Sequence, residues 1–155
     1  MAFRISGLER ARFQHLFDLD NAGLRAHRAR RVTADKPRAF PCRVSLVDAE
    51  VGEELILVHH EHLPASSPFC ASHAVYVRVD AEDRVLAKGE VPALLRTRML
   101  SVRAFDRDDM MQAAELVDGR QIEETIDRLL ADPSIAFLHL HYAAPGCFAA
   151  RVDRA

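Results

Sequence analysis

The stretch Asp118-Gly-Arg-Gln-Ile-Glu-Glu-Thr-Ile-Asp-Arg-Leu-Leu-Ala-Asp-Pro-Ser-Ile135-Ala-Phe-Leu-His-Leu-His141 decides the fold class. In its first half Ile122, Ile126, Leu129 and Leu130 fall on one helical face, Asp118 stands where a cap is needed, and Gln121 completes a capping-box-like pair. Asp132-Pro133 stops the helix, because proline clashes with a continuing helical turn and has no N–H to donate. The second half, residues 135–141, is an apolar run of strand length. Beyond it, Tyr142-Ala-Ala-Pro-Gly146 is short enough to join a hairpin to a last strand over residues 148–152.

Toward the N-terminus the same reading predicts strands over 3–5, 29–33, 55–60, 74–79, 100–105 and 112–117. Ser6 and Glu9 have capping-box spacing and Leu8, Phe13, Leu16 and Phe17 form an apolar stripe, so a first helix is expected after residue 6. Asp20 can cap a second short helix, residues 45–50 can form one helical turn, and a short helix should begin at Pro92. The expectation is an α+β fold: a mainly antiparallel curved β-sheet with an N-terminal helical segment and one crossover helix near the C-terminus. No repeat, low-complexity tract or linker divides the 155 residues, which predicts a single domain over 1–155.

Composition removes several classes of function. A net charge of −2 supplies no field to gather nucleic acid, so no nucleic-acid partner is expected. No apolar run approaches the roughly 20 residues that span a bilayer, and the N-terminus lacks a signal-length apolar segment, which predicts a cytoplasmic protein with no membrane partner. Cys42, Cys70 and Cys147 are odd in number and far apart, as expected of reduced thiols. The glycine-rich phosphate loops of dinucleotide and nucleoside-triphosphate sites are missing, and so is the serine nucleophile elbow.

Histidines carry the strongest candidate chemistry. His60 and His62 end one predicted strand, His73 opens the next, and His139 and His141 end another. Alternate strand residues point the same way, so each His-x-His pair presents two imidazoles on one side. If strands 55–60 and 74–79 are antiparallel neighbours, the loop between them brings His73 and Cys70 to the same sheet end as His62, and the final hairpin should set Cys147 beside His141. The two groups share a sheet end only if the strands ending at His60 and His141 run parallel. Neutral imidazoles of this kind suit zinc or a similar transition metal, with His60, His62 and His73 as candidate ligands; solvated or hydrogen-bonded histidines are the alternative. Arg43 and Arg78 lie among apolar residues, where a guanidinium must find a partner or an anion.

Three functional expectations follow. The first is a small-molecule or anion-binding domain, open to enzymatic activity, whose site joins Arg43 as an anion anchor to His60, His62, His73, His141 and Cys147. The second is a protein-interaction or homodimer module using a strand edge or the Phe13/Phe17 face. The third is a zinc-dependent hydrolase at the same histidines.

The phrases Phe3-Arg-Ile-Ser-Gly-Leu8, Pro41-Cys-Arg-Val-Ser-Leu46, Glu61-His62, Ser101-Val-Arg-Ala-Phe-Asp106 and His139-Leu-His-Tyr-Ala-Ala-Pro-Gly-Cys147 together resemble the bacterial family known as domain of unknown function 1203. The resemblance extends over nearly the whole chain and implies a small stand-alone bacterial protein. It brings no activity, cofactor or catalytic residue with it.

Overall fold

A computed structural model describes residues 2–155 and has the expected α+β fold with antiparallel pairing. Its strands are β1 (Phe3–Ser6), β2 (Ala29–Thr33), β3 (Glu54–Leu63), β4 (Ala71–Arg78), β5 (Met99–Phe105), β6 (Met111–Asp118), β7 (Phe137–Tyr142) and β8 (Phe148–Arg154). The helices are α1 (Asn21–Ala26), α2 (Ala93–Arg96) and α3 (Ile122–Leu130). Instead of one curved sheet there are two: β1-β8-β7-β5-β6 and β2-β3-β4. The smaller sheet stands apart because it has its own apolar cover. Ile56 and Val58 lie opposite Val77 and Val75, and all four pack with Phe13, Leu16, Phe17 and Leu24. The Phe13/Phe17 face expected to meet a second chain is thus buried inside this one.

The larger sheet buries one face under α3. Leu100, Val102, Leu138, Leu140 and Val152 meet Ile122, Ile126 and Leu130, the stripe read from the sequence. Asp118 accepts a hydrogen bond from the Arg120 N–H at 2.9 Å, which starts a 3-10 turn over Gly119–Gln121 before α3 begins. Gly119 is required there, since a Cβ would come within 1.8 Å of the Leu95 carbonyl oxygen.

The first helix is not α-helical. Arg10–Arg12 and Gln14–Leu16 form two 3-10 turns, and Glu9 caps neither with its side chain. Ser6 cannot serve as the cap because it is the last residue of β1, opposite Arg151. Residues 45–50 form turns rather than a helical turn, because Leu46 takes a φ of 53° that a right-handed helix does not allow. No helix among the described residues is long and apolar enough to cross a membrane.

Candidate functional site

Consecutive residues of β7 face opposite sides of the larger sheet, and two polar sites result. His139 lies opposite Arg151 and Arg103, and His141 opposite Ser101 and Phe148, on the face away from α3. The C-terminal end of β3 crosses that face. The His62 ring stacks on Phe148 at 5.3 Å between centroids and stands 5.0 Å from His141 and 6.0 Å from His139. His73 pairs across from His60, whose ring touches Phe13 at 5.3 Å. The two histidine groups therefore do meet, but through packed sheet faces rather than at the end of a shared sheet.

Burial sets the charge of this layer. It lowers His60 and His62 to about 4, with Arg12 and His59 adding to the shift of the first, and His60, Arg103 and His73 to that of the second. His139 and His141 fall to about 3 for the same leading reason, reinforced by Arg103 and by the repulsion that His62 would exert if protonated. All four imidazoles are neutral at pH 7. His141 Nδ1–H donates to the Gly146 carbonyl at 2.9 Å, which opposes part of its shift. His60 Nε2, His62 Nδ1 and His139 Nδ1 are buried with no hydrogen-bond partner among the described residues. Among the described residues, no group of three or more His, Cys, Asp or Glu side chains is arranged to hold a metal ion.

The Cys147 side chain does not join His141. A bulge between Leu140 and His141 places His141 opposite Phe148, so Cys147 falls next to Tyr142, whose N–H donates to the Cys147 carbonyl at 3.0 Å. On that side a cleft of about 550 Å³ opens between the β7–β8 connection, the segment from Arg38 to Arg43, and Arg98-Met99. Its size lies in the range of small-molecule sites. Most of the lining is apolar, from residues such as Pro41, Met99 and Pro145; the polar groups are three arginines, Tyr76, Tyr142 and Cys147.

Arg43 reaches the cleft because its backbone is fixed on three sides. Its N–H donates to Tyr76, its carbonyl accepts from Leu8, and Leu46 N–H closes a turn onto Cys42. Gly7 makes the close approach possible, since a Cβ there would lie 2.4 Å from the Arg43 carbonyl oxygen. The guanidinium is only 1% exposed. It donates from Nε to the Phe148 carbonyl at 2.7 Å, from Nη1 to the Pro41 carbonyl, and from Nη2 to Cys147 Sγ at 2.9 Å. None of these acceptors is a carboxylate. Arg78, the other arginine expected to need a partner, has found one in Glu53.

Tyr142 completes the polar wall. The Arg43 and Arg98 guanidinium carbons lie 4.9 and 5.2 Å from its ring centroid, and burial pushes the phenol up to about 12. Its hydroxyl is buried and has no partner among the described residues. Arg98 is held by Asp48 through bonds of 2.6 and 3.1 Å, while the Arg38 backbone takes a strained φ of 54° at the rim.

Of the residues picked from sequence, Arg43 and Cys147 meet in the cleft, while His60, His62, His73 and His141 lie in the histidine layer. Sequence reasoning missed Tyr142, Arg98 and Arg38. Tyr142 gave a signal as a polar-tipped aromatic at a strand end, but no local spacing ties Arg98 to Arg43. A family profile described as protein of unknown function (DUF1203) matches residues 39–154, a span that includes the histidine layer and all of the cleft except Arg38. No curated protein and no solved structure matches the chain.

Proposed function

The chain belongs to the DUF1203 family, and for this member we propose the binding of a small organic carboxylate in the Arg43 cleft. The observation that carries this reading is a fully buried guanidinium beside a cavity with no carboxylate bonded to it. A buried charge without a counter-charge is costly, and a bound anion would relieve that cost. Three of the five guanidinium N–H groups are already used, which leaves two for a ligand. The unpartnered Tyr142 hydroxyl can donate to the same anion, and the apolar lining suits a carboxylate with a hydrocarbon body.

Sodium benzoate and benzamide make a matched pair of probes, alike in shape and different in charge. Benzoate at a hundredfold excess over its Kd should stabilise the protein by about 2.7 kcal/mol, read as a rise in Tm of roughly 5–10 °C, while benzamide should leave Tm unchanged. Equal responses to the two compounds, or none to either across a panel of aromatic and aliphatic carboxylates, would refute the proposal.

A further inference from the structure

Cys147 is 7% exposed and lines the same cleft, with Arg43 Nη2 donating directly to its sulfur. Reactive cysteines differ from inert ones in having an electropositive setting, which the arginines of this cleft provide around a thiol in its wall. A second observation is independent of the sulfur. The Tyr142 side chain, 4% exposed, lines the same cleft, and its buried hydroxyl has no partner among the described residues, which leaves it able to donate to a ligand there.

We infer that Cys147 is a nucleophile for small electrophiles that carry a carboxylate, with Arg38 and Arg43 drawing the anionic end into the cleft. The inference rests on the carboxylate-binding reading above and adds a reaction to it. Sγ attacks the electrophilic carbon, and an S–C bond forms as the bond from that carbon to its leaving group breaks. The leaving group departs with the bonding electron pair, and the thiol proton passes to solvent. No oxidant or metal is needed. The other two cysteines lack this setting: Cys70 is exposed away from the cleft, and Cys42 is fully buried, accepting the Arg78 backbone N–H at 3.3 Å.

The test compares iodoacetate with iodoacetamide, electrophiles that differ in charge and share iodide as leaving group. Folded protein is treated with each reagent near neutral pH, and alkylation of every cysteine is followed by peptide mass spectrometry. Cys42, being sealed, reports any unfolding, and Cys70 serves as the solvent-exposed reference. The iodoacetate-to-iodoacetamide rate ratio should be about tenfold higher at Cys147 than at Cys70, as expected for a charged reagent focused by a cationic cleft. Arg38→Gln, an exposed substitution outside the core, should lower that ratio about threefold, and benzoate should slow Cys147 without affecting Cys70. Equal ratios at the two cysteines, or an unmodified Cys147 once Cys70 is complete, would overturn the inference. If benzoate still raises Tm in that case, carboxylate binding stands and only the nucleophile is lost. If benzoate neither stabilises the protein nor protects Cys147, the binding reading has failed and takes the inference with it.

Discussion

His141 and Tyr142 are neighbours in β7, yet they belong to two regions that solve the same problem in opposite ways. On one face His139 and His141 are buried, with the half-buried His62 stacked on Phe148 beside them, and desolvation makes these imidazoles give up their charge. On the other face Arg43 is buried just as deeply, and a guanidinium cannot shed its proton at any pH a protein survives. The histidine layer is therefore complete when neutral, whereas the arginine cleft keeps a positive charge that its own residues do not neutralise. That difference is why the cleft, and not the histidine layer, is the place to look for an anion.

Acid should set the two regions furthest apart. His60, His62, His139 and His141 are held at about 4 or 3, below the ordinary imidazole value of 6.5, so between those values the unfolded chain binds more protons than the folded one. Stability is complete above about pH 6.5 and falls progressively as pH drops toward 4. Urea midpoints measured from pH 7.5 to 4.5 would check this, and a flat profile would mean that the histidines are not buried as described.

Arg43→Met comes next, with an expected loss of about 3 kcal/mol, because the carbonyls of Phe148 and Pro41 lose their donor. The same variant should lose its thermal response to benzoate, whereas its acid profile should keep its shape. His139→Leu does the reverse. It removes an unpartnered Nδ1 at similar volume, so stability at pH 7 should change by less than about 1.5 kcal/mol and the slope below pH 6.5 should flatten. The smallest effect belongs to Tyr142→Phe, which deletes a hydroxyl without a partner and should alter stability by no more than about 1 kcal/mol while weakening benzoate. A Tyr142→Phe protein that binds benzoate like the parent would remove the hydroxyl from the site.

Much of the fold was legible because strands and the α3 stripe are written in local periodicity. Ile122, Ile126, Leu129 and Leu130 point inward as their spacing implies, and β3 and β4 pair antiparallel as the intervening loop suggests. Where tertiary contacts override local signals, the reading failed. Ser6 looked like a cap but is held in β1, and the turn at Leu46 adopts a backbone that periodicity does not encode. The site was half legible. That Arg43 and Arg78 needed partners followed from desolvation alone, but which would find a carboxylate depended on Glu53 lying across the fold. Cys147 was assigned to the wrong side because one bulged residue in β8 shifts the register and with it the face.

Phe148 is where the two regions touch. Its carbonyl oxygen holds Arg43 Nε at 2.7 Å, while its ring lies nearly parallel to His62, at 14°. A ligand that pulled the guanidinium aside would tug on the peptide whose aromatic plate supports the imidazoles. Occupancy of the cleft and rigidity of the histidine layer would then be felt through one residue's two ends.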